Sequence, residues 1–141
     1  MGSTEAEQPG ARGDAYLFDM TPEELRAKSS AGVAAWNARD LEGFFSGFRE
    51  DVVYHAKPGD DLRGVAALRE RYALALQFCP DLTIAIEVLV VGDDGRSMAS
   101  VQTESGTMVD GKPFGFRGMV FLAFDEAGLI EEMWEMTAPL A

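Results

Sequence analysis

The chain has 141 residues, of which 47% are hydrophobic and 26% charged, as in a globular domain with a core large enough to fold without disulfides. Its net charge of −12 repels phosphate groups, so nucleic acid and anionic membrane surfaces are not expected as partners. One cysteine, Cys79, and one histidine, His55, exclude cysteine-based zinc clusters and multi-histidine metal sites.

The N-terminal 14 residues are small, polar and glycine-rich. They predict a disordered or tag-derived tail in front of a single domain over residues 15–141. The segment Thr21–Glu24 predicts a helix start, because its threonine can cap the helix and its last glutamate can complete a capping box. A proline at the second position suits the first helical turn. This helix is expected to run to about Ala38.

A second, short helix is predicted over Leu41–Phe48, followed by a strand over Val52–Ala56. The segment Lys57–Arg63 contains proline, glycine and two aspartates, which are typical of a loop. A third helix is predicted from Gly64, with one apolar stripe, and Pro80 ends it.

The rest of the chain predicts four long strands separated by glycine-containing turns. These strands are Leu82–Val91, Arg96–Met108, Phe114–Phe124 and Ile130–Met136. Helices followed by an antiparallel sheet indicate an α+β domain in which the helices pack on one face of the sheet.

The expected location of the protein and the expected absence of a cofactor rest on features that the sequence lacks. No apolar run approaches the roughly 20 residues of a membrane span. The N-terminus has no basic region followed by an apolar core, as a secretory signal would have. A single cysteine fits a reducing compartment. We therefore expect a cytoplasmic protein that uses no metal and no other cofactor.

Five short segments occur in a characteristic order and spacing, namely Ala35–Leu41, Asp51–His55, Leu62–Gly64, Cys79–Leu82 and Asp125–Glu135. Together they resemble the SnoaL-like, polyketide cyclase-like branch of the NTF2-like superfamily. The resemblance implies a cone-shaped fold, in which a strongly curved mixed or antiparallel sheet wraps around N-terminal helices and encloses a deep apolar pocket. It also implies a hydrophobic small-molecule ligand and often a homodimer through the outer sheet face.

The last predicted strand carries the main catalytic candidate. Alternation places Glu131, Met133 and Glu135 on one face. SnoaL-like cyclases have a carboxylate after a tryptophan here, which acts as acid and base in an aldol closure. Glu135 follows Trp134 and matches that position, with Glu in place of Asp. A carboxylate in a dry pocket has a raised pKa, which suits proton transfer. The alternative is a solvated or salt-bridged glutamate.

In the strand Arg96–Met108, every second residue belongs to an unusually polar set that includes Gln102 and Glu104. If this face lines the pocket, both residues can orient a substrate or a water; if it faces solvent, it is only an exposed surface. His55 has an ordinary pKa near neutrality and is the second catalytic candidate, in a relay with Glu135 or Glu104. A structural or surface histidine is the alternative.

Aromatic and apolar residues are the candidates for binding a flat hydrophobic ligand. The predicted binding residues, besides Gln102 and Glu104, are Trp36, Asn37, Tyr54, Tyr72, Phe116, Met119 and Met133. Trp36 and Tyr72 each add a hydrogen-bond donor to an apolar face. Asn37 is included because the SnoaL-like cyclases place a polar residue near this point.

Other reactions of the superfamily fit less well. Ketosteroid isomerase-like members carry their aspartate base where this chain has Ala56. An epoxide hydrolase needs two aspartates joined by an arginine, and the strand aspartates here lie at turns, so Arg117 is expected in a surface ion pair. The sequence therefore favours cofactor-free acid–base catalysis on a hydrophobic carbonyl or polyketide-like compound, by cyclisation or isomerisation. A non-catalytic small-molecule-binding or dimeric scaffold protein is the alternative.

Overall fold

A computed structural model describes residues 20–140, which form three helices and a six-stranded sheet. The elements are α1 (Pro22–Asn37), α2 (Leu41–Phe45), β1 (Phe48–Lys57), β2 (Asp61–Arg63), α3 (Val65–Phe78), β3 (Thr83–Val91), β4 (Ser97–Thr107), β5 (Pro113–Phe124) and β6 (Ile130–Pro139). The predicted α+β class is confirmed. The predicted tail over residues 1–14 lies outside the described residues. None of the described helices has the length and apolar character needed to cross a membrane.

The start of α1 follows from local chemistry alone. The hydroxyl of Thr21 accepts from the backbone N–H of Glu24 at 3.1 Å, and the Glu24 carboxylate accepts from the N–H of Thr21 at 2.8 Å. These bonds satisfy N–H groups that a helix terminus leaves without internal partners. The predicted capping box is therefore present, with Pro22 at the first position of the helix.

The boundaries that differ from the sequence prediction include the end of α2 and the loop after β1. Helix α2 ends at Phe45 instead of Phe48, and Phe48 is the first residue of β1. The loop expected between Lys57 and Arg63 contains the short strand β2, which pairs antiparallel with β1. In both places the chain adopts strand geometry because it hydrogen-bonds to a neighbouring strand, and such pairing leaves little local signal in the sequence.

The sheet is open, with strand order β2-β1-β6-β5-β4-β3. Strands β3 to β6 form an antiparallel meander, and β1 pairs parallel with β6. The sheet is therefore mixed, with the last strand of the chain between β1 and β5. Helix α1 packs against α2 and β3, while α3 packs against β1 and β2.

Aromatic side chains fill the space between the helices and the sheet. Their rings lie 5.1–6.3 Å apart in tilted, stacked and edge-to-face pairs, formed by Trp36, Phe44, Phe45, Phe48 and Tyr72. Such pairs add about 0.5–1.5 kcal/mol each to the effect of burying their area. Cys79 is buried beside Trp36 and Leu82, which agrees with its expected place in the core.

Candidate active site

A cavity of about 700 Å³ lies between the helices and one face of the sheet, which we call the inner face. Cavities of roughly 300–1,000 Å³ are typical of small-molecule sites. All three helices and every strand except β2 contribute lining residues, most of which are apolar or aromatic. The polar residues that line it include Tyr54, Tyr72, Gln102, Glu104 and Glu135. Arg71 also lines the cavity and is exposed to solvent. An apolar cavity with a few polar groups can orient a hydrophobic ligand.

Glu135 lies on β6 next to a gap in the inner face of β5. Its register partner on β5 is Val120, and the next inward position on β5 is Gly118, whose partner on β4 is Gln102. A Cβ atom at Gly118 would lie only 3.0 Å from Oε2 of Glu135. The absence of a side chain at Gly118 therefore leaves room for the Glu135 carboxylate over β5.

The Glu135 carboxylate is 6% exposed and is held by a tyrosine. Its Oε1 accepts a hydrogen bond from the hydroxyl of Tyr54, with 2.5 Å between the oxygens. Burial, followed by the negative charge of Glu135, raises the pKa of Tyr54, so this hydroxyl remains a donor at neutral pH. Oε2 is also buried, and no backbone N–H, amide, hydroxyl or cationic group of residues 20–140 donates to it.

Glu104 supplies the missing donor. Its pKa is raised to about 8, mainly by burial, then by the negative charge of Glu135 and by a hydrogen bond between the two carboxyl groups. The side-chain amide of Gln102 donates to Glu104 Oε2 at 2.8 Å and partly opposes that rise. At neutral pH Glu104 is therefore protonated and donates to Glu135. The two carboxyl groups share one proton and carry one negative charge.

Tyr72 borders this carboxyl pair. Burial, with the nearby Tyr54 and the two glutamates, raises the pKa of Tyr72 well above its ordinary value. Its ring packs against Trp36 and Phe44 at 5.4 and 5.6 Å between centroids. The neutral phenol therefore adds a polar group to an otherwise aromatic wall.

Most of the predicted site residues line the cavity, and their roles remain predictions. They are Trp36, Tyr54, Tyr72, Gln102, Glu104, Phe116, Met133 and Glu135. The donor expected from Trp36 is already used, because its indole N–H donates to the carbonyl of Leu82 at 2.9 Å. This residue can offer a ligand its ring surface only.

His55 lies on the outer face of the sheet, so the predicted relay with Glu135 or Glu104 is not formed. Its Nε2 is 2.7 Å from Glu132 Oε2, and its Nδ1 is 3.0 Å from Asp61 Oδ2. The hydrogen bond to Glu132 is the main cause of a raised pKa. Adjacent residues of a strand point to opposite faces, and Tyr54 occupies the inward position.

Two predicted binding residues also lie away from the cavity. Asn37 donates to the carbonyl of Ile84 at 3.0 Å and accepts from the N–H of Ile84 at 2.9 Å. It satisfies backbone groups of β3, which is an edge strand and has a neighbouring strand on one side only. Met119 is 65% exposed on the outer face, because Gly118 and Val120 take the inward positions.

Sequence reasoning did not find two residues that shape this site. Gly118 leaves the space for Glu135, and Arg71 lines the cavity from α3. Alternation assigns Glu104 to one face of β4 and Glu135 to one face of β6. Their meeting depends on the strand order, which the local pattern does not contain.

The sequence profile of the SnoaL-like domain matches residues 30–133. AclR from Streptomyces galilaeus has a similar structure, with a TM-score of 0.73 and 21% identity, covering 84% of this chain and 91% of that chain. SalBIII is an epoxide hydrolase/cyclase-like enzyme with a role in pyran ring formation in polyether salinomycin. Its structure has a TM-score of 0.73 and 18% identity, covering 82% of this chain and 92% of that chain. RV0760c from Mycobacterium tuberculosis, whose structure was solved with estradiol-17beta-hemisuccinate, has a TM-score of 0.70 and 19% identity, covering 79% of this chain and 91% of that chain. At these identities the structures establish a common fold.

The buried carboxyl pair predicts an unusual pH dependence of stability. Folding raises the pKa of Glu104 from 4.5 to about 8, so between these values the folded protein holds a proton that the unfolded chain releases. Stability therefore decreases as the pH rises through this range. Glu104→Gln keeps a donor for Glu135 without binding a proton. We expect its Tm to exceed that of the wild type by about 5 °C at pH 8, and by little at pH 5.

Differential scanning calorimetry from pH 5 to pH 8 measures this difference. Glu126→Gln is the matched control, because it removes one carboxylate from an exposed turn and tests the effect of net charge alone. A Tm difference that is the same at every pH, or that the control reproduces, would contradict a shared buried proton.

Proposed function

The chain belongs to the SnoaL-like family, and from the chemistry of its site we propose that it is an enzyme for cofactor-free acid–base catalysis on a hydrophobic carbonyl compound. Glu135 is the base and Glu104 is the acid. The observation that carries the proposal is the buried pair of carboxyl groups with one shared proton at the wall of a 700 Å³ cavity. Two carboxyl groups in different protonation states are a common basis for acid–base catalysis.

The base is prepared by its surroundings. Tyr54 donates to Oε1 and restrains the carboxylate, while the dry cavity deprives it of the water that would otherwise stabilise its charge. A substrate carbon next to a carbonyl group loses a proton to Glu135, and its electron pair passes into an enolate. Proton transfer to a positioned base of this kind contributes roughly 10²–10⁴-fold to a rate.

The acid completes the reaction. In a ring closure the enolate carbon forms a bond to a second carbonyl carbon, and the oxygen of that carbonyl takes the proton of Glu104. Glu135 is then protonated and Glu104 is anionic. A proton returns through the hydrogen bond between the two carboxyl groups and restores the starting state. In an isomerisation the proton is delivered to a different carbon. Neither reaction has a net change in oxidation state.

The lining favours a flat hydrophobic substrate of the polyketide class. Aromatic rings of Trp36, Phe44, Tyr72 and Phe116 border the cavity, and such rings stack on planar ligands. The structure of RV0760c with an estradiol derivative supports the idea that a cavity of this fold can hold a polycyclic compound. Arg117 is paired with Glu87 at 3.1 Å on the outer face, as expected for a surface ion pair, and so does not supply the cation that an epoxide hydrolase needs.

We further propose that a second copy of this chain binds to the outer face of the sheet. Large apolar side chains are exposed there on three strands, namely Val88, Val90, Met119, Phe121, Trp134 and Met136. They stand in register across the sheet, where Met119 pairs with Val101 and Met136. An isologous dimer uses one patch twice, so a single apolar face is sufficient. These pairs contain no ionised side chain, which allows two chains of charge −12 to meet there.

The role of Glu135 as the base is tested by proton exchange. In D₂O, the full chain is expected to accelerate exchange of the α-protons of 2-tetralone, a bicyclic ketone, over the buffer rate. Glu135→Gln is expected to lower the enzyme-dependent rate by about 100-fold, because the amide cannot take up the proton. Proton NMR measures the exchange.

Glu132→Gln is the control, since Glu132 lies on the same strand and pairs with His55 on the outer face. It should retain the wild-type rate. An unchanged rate in Glu135→Gln would refute the mechanism. A wild-type chain that binds 2-tetralone without accelerating exchange would be a small-molecule binder, which is the alternative class.

The pH profile tests Glu104 as the acid. Because the pKa of Glu104 is about 8, the protonated form declines above that pH, and kcat/KM for exchange should fall as the pH rises through about 8. Glu104→Gln should be slower and should lack this fall. The exchange rate is measured from pH 6 to pH 10, with the buffer rate subtracted at each pH. A wild-type rate that keeps rising to pH 10 would exclude this role.

The proposed dimer is tested by placing a charge on the outer face. Met119→Glu is expected to convert the dimer into a monomer, because burying an unpaired carboxylate is unfavourable. Val109→Glu is the control at a similarly exposed site outside the sheet, with 68% exposure against 65% for Met119. Light scattering coupled to size exclusion gives the mass. A wild-type monomer at 50 μM would contradict the dimer.

A further inference from the structure

Arg71 on α3 lies at the junction of two cavities. It lines the 700 Å³ cavity and also a smaller chamber of about 150 Å³. The two spaces share Arg71, Tyr54, Phe116 and Glu135. The guanidinium carbon of Arg71 is 6.0 Å from the centroid of the Tyr54 ring, so its charge lies near the carboxyl pair. Arg71 is exposed, which leaves its N–H groups accessible from solvent.

No carboxylate of residues 20–140 forms an ion pair with Arg71, although the chain has 24 acidic side chains and only 12 basic ones. Arg69, two residues earlier on the same helix, binds both oxygens of Glu42 at 2.9 and 3.1 Å. Arg117 donates to Glu87, and Arg49 pairs with Glu131. An accessible arginine without such a partner can still donate several hydrogen bonds to an anion.

The smaller chamber has the composition of a site for a small polar group. Besides the shared residues it is lined by Lys57, Thr137, Ala56 and Pro58. The ammonium of Lys57 is turned away from the chamber, because its Nζ is 3.3 Å from the carbonyl of Gly59 and 3.4 Å from Asp61, which also contacts His55 on the outer face. The guanidinium of Arg71 and the side chain of Thr137 therefore border a space that can hold a group of a few heavy atoms, since a water takes up about 30 Å³ in the liquid.

We propose that Arg71 binds a carboxylate on the substrate at the adjoining chamber, while the apolar body of the substrate occupies the large cavity. This inference deepens the proposed function, on which it rests for the statement that the ligand is a substrate. It defines the substrate class as a hydrophobic carboxylic acid that carries a carbonyl group.

The electrostatics of the site agree with this assignment. The carboxyl pair keeps one proton and therefore presents one negative charge, not two, to a bound carboxylate. Burial raises the pKa values of Tyr54 and Tyr72, and the charge of Arg71 opposes that rise, so its field reaches the site. An anion bound directly to the guanidinium is held mainly by charge-assisted hydrogen bonds, which are the stronger kind.

Binding of two matched probes tests the inference without any need for turnover. 2-Naphthoate and 2-naphthamide have the same aromatic body and differ in one anionic group. Isothermal titration calorimetry with the full chain at pH 7 should show about tenfold tighter binding of 2-naphthoate. Arg71→Gln should remove this preference and leave the affinity for 2-naphthamide unchanged, while Arg71→Lys should keep part of it.

Arg63→Gln is the matched control, because Arg63 on β2 is exposed, carries the same charge and lines neither cavity. It should bind both probes like the wild type. Equal affinity of the wild type for the two probes, no binding of 2-naphthoate, or an equal loss for both probes in Arg71→Gln would overturn the inference. A failed proton-exchange test with an intact preference for 2-naphthoate would refute the catalytic proposal and leave this site in place.

Discussion

The parallel pairing of β1 with β6 joins the helical first half of the chain to the antiparallel meander of the second half. The N–H of Ile130 donates to the carbonyl of Gly47 at 2.9 Å where this pairing begins, and Tyr54 becomes the register partner of Met133. Residues that are 81 positions apart then meet, because the Tyr54 hydroxyl donates to Glu135. Without this pairing neither the cavity nor the restrained carboxylate would exist.

The carboxyl pair is a stable arrangement only while water is excluded and one proton is retained. Two adjacent buried carboxylates would repel each other, so burial and mutual charge raise the pKa of Glu104 until it stays protonated at neutral pH. The pair is therefore unfavourable for folding at high pH and useful for proton transfer. Proteins commonly accept such a loss of stability at sites that perform chemistry. The surrounding aromatic cluster provides burial that offsets this loss.

Strand alternation divides the charged groups of the sheet into two sets with different surroundings. On the inner face Glu104 and Glu135 lie in a dry cavity, with Arg71 as a nearby cation. On the outer face His55 is paired with Glu132 and Asp61 and stacks on Trp134, beside exposed apolar side chains. Solvent screens the outer ion pairs, which weakens them. The inner pair has no such screening, so the pKa of Glu104 is strongly raised.

Several features follow from the sequence by itself. The capping box at Thr21, the helix end before Pro80 and the placement of Gln102 and Glu104 on one face of their strand depend on residues close together in the chain. Phe116 and Met119 differ in parity along one strand, so strand alternation predicts that only one of them faces the cavity. Other features are determined only by the tertiary structure. They are the formation of strand β2, the outward position of His55, the hydrogen bonds of Asn37 to an edge strand and the contact of Glu104 with Glu135. These depend on strand order and register, which arise from pairing between distant segments, whereas capping and periodicity act over a few residues.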